Sequence, residues 1–248
     1  MRALLACLMA LLAATPVAAA EIKLLTAGAF KSVASALVPG FEAETGHTVT
    51  VENDTAGGLV RRIGEGAAFD VVVLTPGAVR DLAAQGKVAG GPVDLARVGI
   101  GVAVKAGAPR PDVGSVEAFK RMLLDARSVA YIDPRAGGSS GVYLAGLFER
   151  LGVAGEVEGK AVLVPGGLVA ERVTKGDAQV AIHQISELLA VSGAELVGPL
   201  PAAIQNYTTY AGGVGAAARD PAAARALLAA FSGPAAAAAL RDKGMLPP

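Results

Sequence analysis

Tryptophan is absent from the 248 residues, and Phe and Tyr together make up only 4% of them. A chain this poor in rings lacks the stacking platforms that sugar and single-stranded nucleic-acid sites rely on. Neither charge sign is in excess: 22 basic side chains face 22 acidic ones. That leaves no electrostatic footprint for nucleic acid or for an anionic membrane. The one cysteine, Cys7, lies in the first ten residues. If that segment is removed, no disulfide, thiol nucleophile or thiolate metal set remains, and stability rests on an ordinary apolar core. His47 and His183 are too far apart in the sequence to suggest a metal site, so no metal and no cofactor is expected. The chain also lacks a G-K-[ST] phosphate loop, a dinucleotide fingerprint at its first strand-to-helix turn, and a G-x-S-x-G elbow.

What is present begins with "MRALLACLMALLAATPVAAA". Arg2, the apolar run from Ala3 to Ala14, Pro16 and the A-x-A at Ala18–Ala20 have the form of a secretory signal peptide over residues 1–20, cut before Glu21. The apolar run is too short for a good membrane span. "LLAC" loosely resembles a lipoprotein processing site, but a cut there would leave too short an apolar run. The expected product is periplasmic, with no membrane insertion of the mature chain.

Beyond residue 20, short apolar runs alternate with amphipathic stretches. Strands are expected at 22–27, 48–53 and 70–75, with helices at 30–46 (interrupted near Pro39), 58–66 and 77–86. A long strand follows at 97–105. A second series then places strands at 128–133, 160–164 and 178–184 and helices at 115–126, 140–152 and 168–176. Segments 194–201 and 206–216 read as extended, and 221–233 and 234–244 as helices with Pro near the start and Gly at the end. Strand–helix alternation implies parallel sheets covered by helices. The expected fold class is α/β, with two lobes and a ligand cleft between them. Lobe I is expected from 21–103 and 208–248, and lobe II from 104–207.

Four strand-to-helix junctions are rich in small residues: "TAGAFK", "DTAGGL", "RAGGSSG" and "VPGGLV". Ligands of open α/β sheets bind outside the carboxyl ends of the strands, where these junctions fall. Each following helix presents unpaired N–H groups and a partial positive charge. Glycine lets a ligand approach that backbone. Small residues also simply suit tight turns, so the anion reading rests on the four junctions together. It gives as candidate ligand residues Gly28, Phe30, Lys31, Thr55, Gly57, Thr75, Arg135, Gly138, Ser139, Ser140 and Gly166.

The order of "IKLLTAGAFKSVASALVPGFEAETGHTVTVENDTAGGLVRRIGEGAAFDVVVLT", "YIDPRAGGSSGVYLAGLFERLG" and "GDAQVAIHQISELL" resembles the molybdate-binding-protein-like branch of the type II periplasmic solute-binding proteins. The resemblance covers essentially the whole chain after residue 20. It implies two lobes closing on a ligand, usually for delivery to an ABC importer. It also implies ligand positions at Ala29, Ala56 and Gln184, where molybdate binders carry two serines and a tyrosine. Those departures favour a small organic anion, a di- or tricarboxylate, over molybdate. Aconitate isomerase is similar to the same branch, so the resemblance also allows an isomerase that moves a proton along a polycarboxylate. Its acid or base would then be His183 or Lys31. A sensor subunit presenting its ligand to a membrane receptor is a third possibility. The expected partners are a small anion and an ABC permease, with the protein a monomer.

Single residues keep two readings each. Lys31 is a ligand group or a solvated lysine. Arg135 is a carboxylate clamp or the salt-bridge partner of Asp133. Ser139 is a ligand hydroxyl or an N-cap. His183 is a proton carrier or a histidine packed under a helix.

Overall fold

The structure, a computed structural model, describes residues 19–248. The expected signal peptide falls almost wholly outside the described residues. Among these, ten strands form two five-stranded sheets. The first combines β1 (Glu21–Ala27), β2 (Thr48–Asp54), β3 (Val71–Leu74), β4 (Val88–Val98) and β10 (Thr208–Gly215), in the order β2-β1-β3-β10-β4. The second combines β5 (Ile100–Lys105), β6 (Val129–Ile132), β7 (Ala161–Val164), β8 (Val180–Gln184) and β9 (Ala194–Pro199), in the order β7-β6-β8-β5-β9.

Both sheets follow one plan. Three parallel strands lie side by side, β2-β1-β3 in one and β7-β6-β8 in the other. Two further strands then run antiparallel: β10 pairs with β3 and β4, and β5 with β8 and β9. The central parallel strands are buried along their whole length, as "VVVL" in β3 and "VAYI" in β6. Such uninterrupted apolar runs are what a strand covered on both faces requires. This is the two-lobed α/β architecture expected from the strand–helix alternation. The chain crosses between the sheets at Gly99 and again between Pro199 and Thr208.

The helices that position the cleft follow the parallel strands: α1 (Gly28–Thr45) after β1, α2 (Ala56–Gly64) after β2, α3 (Pro76–Ala84) after β3, and, beyond α4 (Val116–Asp125), α5 (Ser139–Arg150) after β6. The rest are α6 (Ala154–Glu158), α7 (Glu171–Lys175), α8 (Ile185–Leu188), α9 (Pro221–Ala230) and α10 (Pro234–Asp242). Thr55, Thr75 and Ser115 accept hydrogen bonds from backbone N–H groups at the starts of α2, α3 and α4. α1 ends at Gly46, whose φ of 74° is the left-handed turn glycine tolerates best.

Four expectations of local structure are corrected. α1 is not interrupted at Pro39, which lies inside it on an exposed face, where water can satisfy the carbonyl that proline leaves unpaired. The single strand at 97–105 is two strands meeting at Gly99. β4 extends upstream to Val88 because pairing with β10 overrides the Gly-Gly-Pro in its sequence, at the sheet edge where such residues are tolerated. The helix at 168–176 shrinks to the five residues of α7, so no long helix starts at the fourth glycine junction.

α9 and α10 bury Ala223, Ala224, Leu227, Leu228, Ala236 and Leu240. Among the described residues no single helix is long and apolar enough to cross a membrane; these two pass only as a pair bent by 57°. Phe231, just after α9, meets Phe30 of α1 edge to face with ring centroids 5.4 Å apart, and both rings are fully buried. Phe30 is therefore a core residue, although its place in "TAGAFK" made it a ligand candidate. Phe30→Ala should destabilise the protein by about 3–5 kcal/mol, read as a lowered midpoint in urea unfolding.

Candidate functional site

The carboxyl ends of the parallel strands in the two sheets face each other across a cavity. Its wall is drawn from both sheets: Ala27–Ala29 and Asn53–Ala56 from the first, Ile132, Gly138–Ser140, Gly167, Gln184 and Glu187 from the second, and Tyr210 from β10. The cavity holds about 30 Å³, room for roughly two waters. Anything much larger can enter only if the lobes part.

Direct bonds across the gap hold it closed. The Thr55 hydroxyl donates to the carbonyl of Ala136 at 2.7 Å, the Gly57 N–H to the carbonyl of Gly137 at 3.2 Å, and the Ser186 hydroxyl to the carbonyl of Ala29 at 2.8 Å. Gly57 and Gly137 meet so closely that a Cβ on Gly57 would lie 2.9 Å from the Gly137 Cα. Gly137 has a φ of 72°, so neither partner readily accepts a side chain.

Helices α1 and α5 begin at this wall with no side-chain cap and no acidic residue in the first turn. Their leading N–H groups are the ones a ligand anion can take. Around them lie neutral polar groups. The Ser139 Oγ and Tyr210 hydroxyl are 3.2 Å apart, and the Gln184 Nε2 donates to Ser139 Oγ at 3.1 Å and to Thr208 Oγ1 at 3.0 Å. The Gln184 Oε1 is buried without a hydrogen-bond partner. A buried polar atom left unpaired is costly. Among the described residues no Lys or Arg lines the cavity.

Two carboxylic residues do line it, Asp54 and Glu187. Asp54 accepts the Thr55 N–H at 2.7 Å. Glu187 has no such support. Burial pushes its carboxyl up to about 8, so it is mostly protonated at neutral pH. Burial also raises the Tyr210 phenol, with the Glu187 carboxyl adding to the shift, so Tyr210 stays a hydroxyl donor. A Cβ on Gly28 would lie 2.4 Å from Glu187 Oε1, so glycine there makes room for the carboxyl at the start of α1.

The sequence candidates divide accordingly. Gly28, Ala29, Thr55, Ala56, Gly138, Ser139, Ser140 and Gln184 line the cavity. Gly57 is the lobe contact, and a Cβ on Gly166 would lie 3.8 Å from Asp54 and 3.9 Å from Thr55. Four candidates are placed elsewhere. Thr75 caps α3 and Phe30 lies in the core. Lys31 is exposed on α1. Arg135 has a side chain 82% exposed and bonds both oxygens of Asp133, holding that carboxyl below its usual range. Its salt-bridge reading describes the geometry. His183 is buried behind Glu187 rather than in the cavity wall, with Nδ1 3.3 Å from Glu187 Oε2. Burial drives the imidazole down to about 3, so it is neutral.

Sequence reasoning missed Glu187, Asp54 and Tyr210. Glu187 carried a signal in "HQISELL", an acidic residue four after the buried His183. The sequence did not show that α8 turns it inward. Tyr210 sits on β10, which crosses back from the second sheet.

Comparison with known proteins agrees with this architecture. The family model described as bacterial extracellular solute-binding protein matches residues 22–246. Aconitate isomerase of a Pseudomonas species is 36% identical over 248 residues, covering 96% of this chain and 93% of the relative. Among solved structures, the periplasmic molybdate-binding protein of Azotobacter vinelandii superposes with a TM-score of 0.74 at 20% identity, covering 92% of this chain and all of the other. The sulfate-binding protein of Mycobacterium tuberculosis superposes with a TM-score of 0.72 at 18% identity, covering 92% and 87%.

Two predictions follow the geometry. Gly57→Ala should hold the lobes apart. If it cuts the closed population to about a tenth, ligand affinity falls about tenfold, and small-angle scattering of the liganded protein shows a larger radius of gyration. The second concerns pH. Glu187, ordinarily near 4.5, titrates near 8 in the fold, so the stability tied to its protonated form is lost as pH rises from 4.5 to 8. His183, ordinarily near 6.5, titrates near 3, so stability is lost as pH falls from 6.5 to 3. Above pH 6.5 only the Glu187 slope remains. Urea midpoints should fall between pH 6.5 and 8.5 in the wild type and stay level in Glu187→Gln.

Proposed function

The chain belongs to the bacterial extracellular solute-binding proteins, and from that premise we propose that it closes around a small polycarboxylate and isomerises it, as an enzyme of the aconitate isomerase type. The observation that carries this reading is Glu187. Its carboxyl lies in the cavity wall with no hydrogen bond of its own among the described residues and is pushed up by burial, which suits it to moving a proton. A carboxyl held near 8 is, once ionised, a far stronger base than an ordinary carboxylate. The 36% identity to aconitate isomerase over nearly the full length of both chains supports the same reading.

The chemistry is a 1,3-proton shift. The Glu187 carboxylate takes a proton from the methylene carbon of aconitate, breaking a C–H bond. The electron pair spreads over the three-carbon unit and its carboxylates. The proton is then returned to the far carbon, where a new C–H bond forms and the double bond has moved. Charge developing on the ligand carboxylates meets the uncapped N–H groups of α1 and α5, aided by the Ser139, Ser140 and Tyr210 hydroxyls. Burial keeps most Glu187 carboxyls protonated at pH 7, and the ionised minority is the form that acts as base. Ala29 and Ala56 place methyl groups where molybdate binders of this branch have hydroxyls, which favours a ligand that supplies its own flat carboxylates.

A second reading, capture of the same anion for an ABC importer, is favoured by the family itself. Proton NMR of cis- and trans-aconitate incubated with the purified protein separates the two. The isomerase reading expects interconversion, reduced about 100-fold or more in Glu187→Gln with the melting temperature kept. No interconversion by the wild type sinks it. A melting temperature raised by aconitate without turnover would leave capture as the function.

A further inference from the structure

The start of α2 differs from the starts of α1 and α5. Those two helices open on the cavity with no side-chain cap and no acidic residue in the first turn. α2 is capped by Thr55, whose hydroxyl accepts the Gly58 N–H at 3.0 Å. The Gly57 N–H donates to the Gly137 carbonyl of the opposite lobe. The Thr55 N–H, one residue before the helix, donates to Asp54 Oδ1 at 2.7 Å. The N–H groups of Thr55, Gly57 and Gly58, which an anion would meet at this end of α2, are therefore already committed within the protein.

Asp54 lies on that helix end as a bound anion would. A Cβ on Gly58 would lie 2.7 Å from Asp54 Cγ, 2.7 Å from Oδ1 and 2.8 Å from Oδ2. All three atoms of the carboxyl thus pack against the first turn of α2, and the glycine there makes room for them. From the second lobe, a Cβ on Gly166 would lie 3.8 Å from Oδ1, so the carboxyl sits where the lobes meet. It also lines the cavity, where among the described residues no Lys or Arg offsets it. The partial positive charge at a helix start favours a carboxylate in this position.

We infer that Asp54 is a specificity-determining residue of the cleft: its carboxylate fills the anion position at the start of α2, so the cleft takes a ligand whose charged carboxylates face α1 and α5 and rejects one that carries charge on every side. The inference rests on the reading above only in placing a carboxylate ligand in this cleft. Sulfate and molybdate present oxygen in all four tetrahedral directions, and at least one must face Asp54 with no proton between them. A carboxylic ligand can turn an uncharged carbon or a protonated carboxyl to that side. Selection of this kind works by repelling the wrong ligand rather than by gripping the right one harder.

The test is calorimetric titration with sulfate, molybdate and trans-aconitate at one pH, comparing the wild type with Asp54→Asn and Asp54→Glu. Asparagine keeps the shape and an oxygen for the Thr55 N–H but removes the charge, whereas glutamate keeps the charge. The inference expects weak oxyanion binding by the wild type and, in Asp54→Asn, oxyanion affinity raised about tenfold or more. Asp54→Glu should bind the oxyanions no better than the wild type. Asp54→Ser, a second neutral variant, should show the same gain and serves if the asparagine variant does not fold. Oxyanion affinity unchanged or lowered in the neutral variants overturns the inference. So does an equal gain in Asp54→Glu, which would mark a change of shape rather than of charge. If the wild type binds no trans-aconitate, the polycarboxylate reading fails, and the oxyanion titrations alone decide the role of Asp54.

Discussion

Everything at the cleft depends on the carboxyl ends of two sets of parallel strands meeting across a gap that backbone hydrogen bonds can span. β1 and β2 end at the gap from one side, and β6, β7 and β8 from the other. That arrangement aims α1 and α5 at the same small volume and lets Thr55, Gly57 and Ser186 reach carbonyls of the opposite lobe. Gly57 and Gly137 are required because the backbones come close enough to exclude a Cβ. A wider gap would remove the desolvation on which the buried groups depend.

Desolvation is the dominant force on those groups. Glu187 and His183 are displaced from their ordinary protonation midpoints in opposite directions for one reason, since burial disfavours whichever form is charged. The result is a neutral acid beside a neutral base, which is tolerable in a dry site where a lone ion would not be. The nearest cationic candidates do not relieve it: Lys31 is exposed, and Arg135 is committed to Asp133. The wall instead offers N–H groups, hydroxyls and two amides. Such neutral donors can take an anion and need no counter-ion without one.

Any movement of one lobe against the other must act through the two crossings between the sheets. At the first, β4 and β5 are separated by Gly99 alone. Its carbonyl accepts the Ile185 N–H at 3.0 Å, which ties the start of α8, and hence Glu187, to the crossing. At the second, Gln205 donates to the Ile100 carbonyl and accepts the Ile100 N–H. The segment then runs into Thr208 and Tyr210, both in contact with the cleft network. Lobe movement and the placement of the cleft's polar groups are therefore mechanically linked.

The sequence by itself determined the α/β class and the parallel core strands, and it pointed to part of the cleft wall. Apolar runs such as "DVVVLT" and "SVAYID" can be satisfied only in a sheet covered on both faces, and small residues after a strand mark where a backbone can approach a ligand. Those signals are local, so Gly28, Thr55, Ser139 and their neighbours were legible. Tertiary structure decided what locality cannot encode. It drew β4 out of a Gly-Gly-Pro segment by pairing it with β10, and it split one apparent strand at Gly99. It sent Arg135 to Asp133 and Phe30 to Phe231, although their positions in the chain made both ligand candidates. Above all it chose the titratable group that reaches the cleft. His183 stood out as a histidine at the end of a buried strand, but the alternation of side chains along β8 sends Gln184 to the cavity and leaves His183 behind, while the single turn of α8 brings Glu187 forward. The desolvation that sets its protonation comes from residues scattered from 27 to 210, and it exists only once both lobes are folded and closed.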